Sequence, residues 1–375
     1  MASVNERLLD GQIGHQADLQ RYSNGVVRRI IGLLNRTDAD LFAQITVALE
    51  RLPAELFTVE RLEALLGSVR QINLAAYLQV ERELGAELRA LAEYEGGFQQ
   101  RLFEATIPAQ VQARVAVAPI DVQQVYAAAY AQPFRGRLLR EWASSMEADR
   151  MARVRDAIRI GMVEQQPVAQ IVQRLRGTRA KGYSDGLIEI DRRNAESVVR
   201  TAVSHVAGFT RDRFADGNGD LIKAQVWVST LDSRTSEGCR IRDGKEYTPR
   251  THRPIGHSIP WLGGPGRLHW QCRSTSVPVL KSWRELGLDV DELPPGTRAS
   301  MDGEAPADQT YRQWLAKQSA KRQDDILGPT RGALLRRGGL TIDGFANDKG
   351  RWLSLAELRE RDAQVFKRAG VALAA

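Results

Sequence analysis

Ala215-Asp216-Gly217-Asn218-Gly219-Asp220-Leu221-Ile222-Lys223-Ala224-Gln225-Val226-Trp227-Val228-Ser229 is the stretch on which the fold turns. Before it, from Ile188 to Phe214, Val198, Val199, Ala202, Val206 and Phe209 recur at helical spacing. The Asp/Gly/Asn cluster is a helix stop. After it the period shortens, and Leu221–Ser229 reads as a strand rich in apolar and β-branched residues. Asp243-Gly244 then signals a hairpin with Lys245 to Tyr247 returning, and Arg273 to Leu280 reads as a further strand. The expected architecture is therefore α+β and predominantly α-helical: a small β-containing unit at 216–285 behind a helical body.

Working towards the N-terminus, Leu62, Leu65, Leu66, Val69, Ile72, Leu78, Val80, Leu84, Leu88 and Leu91 follow Thr58 mostly at three- and four-residue steps. They predict a long helix to Tyr94, with Thr58 as N-cap and Glu60 in its first turn. At 1.5 Å per residue it would span about 55 Å and must pack along its length. The segments around Leu19–Leu52 and Val122–Ala131 are its expected neighbours. Further helices are expected at Arg137–Val163 and Val168–Leu175. Towards the C-terminus, Asp289–Asp308 reads as a linker. Tyr311–Arg337 reads as a basic helical segment, Phe345–Trp352 as a turn and Leu353–Arg368 as a last helix. The chain thus divides into helical regions 1–115 and 116–215, the β-containing unit 216–285, a linker 286–310 and a helical tail 311–375.

Composition narrows the classes. With 43% hydrophobic and 26% charged residues, the 375-residue chain can build sizeable cores. No apolar run approaches a membrane span. Met1–Arg7 lacks the pattern of a signal peptide, and two cysteines make no disulfide framework; folding in a reducing cytosol is expected. Basic and acidic residues number 22 and 21 in 1–180 but 31 and 25 in 181–375, so most of the net charge of +7 lies in the second half. An excess this diffuse does not by itself make a DNA-binding protein.

The chemically unusual segment is Asp232–Cys272. It carries both cysteines, Cys239 and Cys272, and three of the five histidines, His252, His257 and His269. Cys239, His269 and Cys272 could supply three ligands of a structural zinc site, with His252 or His257 as the fourth. The same residues are open to three other readings: buried packing groups, one disulfide, or a Cys239 nucleophile with His269 as base and Asp232 orienting it. Asp232, Arg234 and Thr235 read as an Asx- or ST-turn ending the strand, with Arg234 paired locally to an acid. Gly263-Gly264-Pro265-Gly266 lacks the rest of a P-loop.

Read in order, Trp227, Asp232-Ser233-Arg234-Thr235, Cys239, Asp243-Gly244-Lys245 and His269-Trp270-Gln271-Cys272-Arg273 resemble the phage Mu F-like family of minor head proteins, the phage head morphogenesis proteins. The family pattern is W-x-x-x-x-D-x-R-T, a cysteine, a D-G-K hairpin and a terminal H-x-x-C-R. Trp314-Leu315-Ala316-Lys317-Gln318, Gln323, Leu327-Gly328 and Arg331 resemble the segment that follows it. The likeness covers about residues 190–340. Many members end the motif H-P-x-C-R-C, whereas this chain has Trp270 and Ser274 at the two differing positions. The resemblance implies a non-catalytic minor capsid protein of a tailed double-stranded DNA phage, assembled in the host cytoplasm and present in several copies inside the head. It would associate with the portal protein or major capsid protein near packaged DNA, and could leave with the genome. Because some members carry effector or toxin domains, an enzyme is the alternative, and a DNA-binding internal head protein a third. Only about 90 residues follow the motif, little room for a separate catalytic domain.

Overall fold

The computed structural model describes residues 4–51, 58–286, 297–300, 302–306 and 309–371. The side chains of Glu60, Leu62 and Leu65, and residues 287–296 of the linker, lie outside the described residues. Seven helices lead the chain: α1 (Val4–Glu50), α2 (Val59–Thr106), α3 (Ala109–Gln112), α4 (Val122–Ala131), α5 (Leu139–Val163), α6 (Val168–Arg176) and α7 (Glu189–Gly217). There follow β1 (Ile222–Val228), α8 (Glu237–Arg240), β2 (Glu246–Tyr247), β3 (Pro254–Ile255), β4 (Thr275–Leu280) and a hairpin of β5 (Thr297–Ser300) and β6 (Gly303–Pro306). The chain closes with α9 (Tyr311–Ala316), α10 (Ala320–Leu327), α11 (Pro329–Arg336), α12 (Leu355–Arg361) and α13 (Ala363–Ala369). The predominantly helical α+β class is as expected. Among the described residues no helix is long and apolar enough to cross a membrane.

The chain forms two compact units, each discontinuous in sequence: Met1–Leu19 with Glu93–Val125 and Ala207–Ala375, and Gln20–Ala92 with Tyr126–Val206. These units cut across the sequence divisions at 115, 215, 285 and 310. The physical reason is helix length: α1 and α2 have 47 and 48 residues, and each contributes to both units.

In the Gln20–Ala92/Tyr126–Val206 unit, Leu41, Ile45, Leu66, Val69, Val154, Ile158, Ile171 and Ile188 form one core. Leu78, from the apolar series, is instead 49% exposed. Arg150, buried, pairs with Asp38, and Asp38 also accepts from Arg192 at 2.9 Å. Arg153 pairs with Asp191. Buried ions kept in pairs avoid the penalty of an isolated interior charge.

In the other unit the sheet has the order β3-β2-β1-β4, with all pairings antiparallel. Val226 lies opposite Val277 and Trp227 opposite Ser276, so alternate residues of β1 face opposite ways. Ile222, Val228 and Val277 join Leu8, Phe103, Ile107 and Phe214 in one core. Trp227 and Tyr247 join Cys239, Trp261 and Cys272 in another. Both faces of the sheet are covered, and six of the seven β1 residues are buried or partly buried, Lys223 alone being exposed. Each fully buried Val, Leu or Phe of these cores contributes roughly 1.5–3 kcal/mol.

The basic helical segment expected over Tyr311–Arg337 is made of three helices. Ser319 caps α10 by accepting from the Arg322 N–H, and Gly328 at φ +80° precedes Pro329 at the start of α11. Leu353–Arg368 is likewise two helices, parted where Asp362 accepts from the Gln364 and Val365 N–H groups. Within the expected linker, β5 and β6 pair as a hairpin, and Asp302 at its tip accepts from Trp314 Nε1 at 3.0 Å. The tail is no appendage of the β-containing unit: Leu231 and Ile241 share a core with Tyr311, Trp314, Leu315, Leu334 and Phe345.

Candidate metal centre

Three pieces of chain bring Cys239, His269 and Cys272 together. Cys239 sits on the single turn of α8, whose Ser236 N-cap accepts from the Cys239 N–H. His269 and Cys272 occupy a turn closed by Cys272 N–H to His269 O at 3.3 Å, in which Gln271 takes a left-handed φ of +53°. Cys272 leads directly into β4, which pairs with β1. The convergence anticipated from the sequence is therefore observed.

The Cys239 and Cys272 sulfurs lie 3.6 Å apart, and Cys239 Sγ is 3.3 Å from His269 Nε2. All three ligand atoms lie within 4.8 Å of one another. Tetrahedral ligation with Zn–S near 2.3 Å and Zn–N near 2.0–2.1 Å calls for separations of about 3.8 Å and about 3.6 Å. The Cys239–Cys272 and Cys239–His269 separations are thus within a few tenths of an ångström of what a metal would impose, and the group could hold one. Both cysteines are free thiols and fully buried, while His269 is half-buried.

Second-tier contacts favour ligation as well. His269 Nδ1 lies 2.9 Å from the Trp270 carbonyl, which can only accept, so Nδ1 carries the proton and Nε2 turns its lone pair to the thiols. The hydrogen bond between the two sulfurs holds Cys272 well below the ordinary thiol range. The same bond, with burial, pushes Cys239 up.

Neither proposed fourth histidine belongs to the group. His257 Nε2 is 2.9 Å from the Glu246 carbonyl, and its Nδ1 accepts from the Ile259 N–H at 3.2 Å. His252 stacks on Trp261 with ring centroids 4.7 Å apart. The nucleophile arrangement also lacks its third member, because the Asp232 carboxylate is committed elsewhere. It receives Arg273 at 2.5 and 2.9 Å, the Arg234 N–H at 3.0 Å and the Thr235 hydroxyl at 3.1 Å. This is the Asx-turn the sequence suggested, with Arg234 3.8 Å from the same carboxylate.

Two further residues shape the site. The Asp243 carboxylate, read only as half of a turn, accepts from Ser229 N–H and from Tyr311 N–H, each at 2.6 Å. Arg242 is buried, donates to Pro260 O at 2.9 Å and Gly238 O at 2.8 Å, and has no carboxylate partner among the described residues. The Asp-Gly pair was visible as a turn signal; nothing in the sequence marks an arginine that bonds only carbonyls.

No family model, curated protein or solved structure matches this chain.

Proposed function

We propose that this protein is a non-catalytic minor head protein that assembles with the portal or inner capsid of a tailed double-stranded DNA phage, and that the Cys239–His269–Cys272 centre holds a structural zinc. One observation carries this reading. The ordered residues of the Mu F-like pattern support one another: Asp232 holds Arg273, Asp243 ties β1 to α9, Trp227 is buried, and the two cysteines meet the histidine. Residues spent on internal bonds suit a structural module better than a catalytic one.

The test is co-expression of the tagged full chain with the portal and major capsid proteins of the phage from which it comes. Co-purification with portal, and incorporation into proheads at a few copies per particle, are expected. Failure to join portal, capsid or proheads would overturn the reading. A DNA mobility assay across a salt series addresses the DNA-binding alternative, since phosphate-driven retardation weakens steeply as salt rises.

A further inference from the structure

The chain has two cysteines, and the fold brings their sulfurs to 3.6 Å from positions 33 residues apart. We propose that Cys239 and Cys272 are a peroxide-responsive dithiol: a small hydroperoxide converts them to one intramolecular disulfide, which takes over the cross-link from the metal. This rests on reading the centre as a metal site.

Geometry carries the proposal. Disulfide sulfurs lie about 2.0 Å apart, so the gap closes if each sulfur moves by about 0.8 Å. Neither cysteine sits inside a long element that would resist such a shift. Cys239 is on the single turn Glu237–Arg240, and Cys272 ends the turn that begins at His269. No third thiol in the chain competes for either sulfur. Cys239 and Cys272 are 1% and 0% exposed, which excludes bulky disulfide reagents and calls for a small oxidant. The core around the pair is only Trp227, Cys239, Tyr247, Trp261 and Cys272, so a link between the two cysteines matters to it in either form.

The chemistry balances. The Cys239 sulfur attacks one peroxide oxygen; the S–O bond forms, the O–O bond breaks, and the leaving oxygen departs as water. His269 Nε2, 3.3 Å from Cys239 Sγ, is placed to take the thiol proton and return it to that oxygen. The Cys272 sulfur then attacks the sulfenic sulfur of Cys239; the S–S bond forms, the S–O bond breaks, and a second water leaves. Two thiols and one hydrogen peroxide thus become one disulfide and two waters, with two electrons passing from sulfur to oxygen. Where the sulfurs are thiolates on a divalent ion, solvent supplies both protons and the ion leaves with its charge unchanged. A partner sulfur this close captures the sulfenic acid before a second peroxide can carry it to sulfinic acid.

The test takes the full wild-type chain as purified, measures its zinc, and adds hydrogen peroxide in modest excess. One zinc per chain should be released to a chromogenic chelator, and both thiols titratable after unfolding should be lost. The monomer mass should fall by two hydrogens, and proteolysis should yield a fragment joining Cys239 to Cys272 that dithiothreitol separates. If zinc is bound but peroxide leaves both thiols, oxidises each to an oxyacid or links two chains, the inference falls and the metal reading stands. If the chain holds no zinc yet the joined fragment forms, the dithiol is upheld and the metal reading falls. Neither zinc nor a joined fragment overturns both.

Discussion

Asp232 and Arg273, 41 positions apart in sequence, meet in a two-point ion pair with Nη1 2.5 Å from Oδ2 and Nη2 2.9 Å from Oδ1. The pair ties the turn after β1 to the residue that follows Cys272. The third anchor of this turn is Tyr311, whose hydroxyl donates to the Asp232 carbonyl at 2.9 Å. Asp232→Ala is expected to cost about 2 kcal/mol, below the range for a fully buried pair because both side chains are partly exposed. Urea unfolding of the variant measures it; a loss within error would show the pair to be incidental.

The same carboxylate gives a pH dependence. Burial alone would raise its pKa, but the Arg273, Thr235 and Arg234 bonds together outweigh burial, and Asp232 titrates below the usual carboxylate range. Its contribution is present above the unfolded value of about 3.9 and is lost as pH falls through the lower folded value. The stability gap between wild type and Asp232→Asn should therefore shrink on acidification below about pH 4. A gap constant with pH would contradict the assignment.

Asp243 should matter to the tail. Its carboxylate bonds the Ser229 and Tyr311 N–H groups, so Asp243→Ala leaves two buried donors without it, at about 1–3 kcal/mol each. Ending the chain at Gln309 should be worse, uncovering Leu231 and Ile241. Dye binding to exposed apolar surface and loss of a cooperative melt are the expected results.

Glu95 is a second sensitive carboxylate, in a different part of that unit. It is fully buried, 2.6 Å from His15 Nε2 and 3.2 Å from Arg211 Nη1. Glu95→Ala should cost about 3–5 kcal/mol, since it strands the Arg211 guanidinium in the interior. The conservative Glu95→Gln should lose less. Equal losses in thermal or urea melts would mean that charge pairing is not what Glu95 supplies.

Metal removal is the most direct check on the centre. One equivalent of zinc per chain is expected by elemental analysis. Chelation should lower the melting temperature of wild type and leave Cys272→Ala, which lacks the ligand, unchanged. A wild-type melt indifferent to chelator would leave the three residues as packing groups.

Much of this was legible in the sequence. The switch of period after Asp220 marked β1, Asp243-Gly244 marked the return to β2, and the cysteines and His269 marked the cluster. What was not legible arises between distant segments. Asn5 accepts from the Leu280 N–H at 2.9 Å, at the end of β4, and no local pattern at either residue announces the other. Leu353–Arg368 reads as one helix because Leu355, Leu358, Val365, Phe366 and Ala369 keep helical spacing across Asp362, whose capping oxygen, not hydrophobicity, begins the second helix.

The interleaving of segments has a consequence for synthesis. Translation delivers residues in order, yet Met1–Leu19 belongs with Ala207–Ala375. The unit of Gln20–Ala92 and Tyr126–Val206 has all its parts once residue 206 clears the ribosome, whereas the first nineteen residues must wait for the sheet. The sheet ends at Leu280, so at 5–20 residues per second that delay is on the order of 10–50 s. During it Val4 and Leu8, buried in the finished protein, have no sheet to cover them. The nascent chain is therefore most exposed to chaperones and proteases at its oldest end.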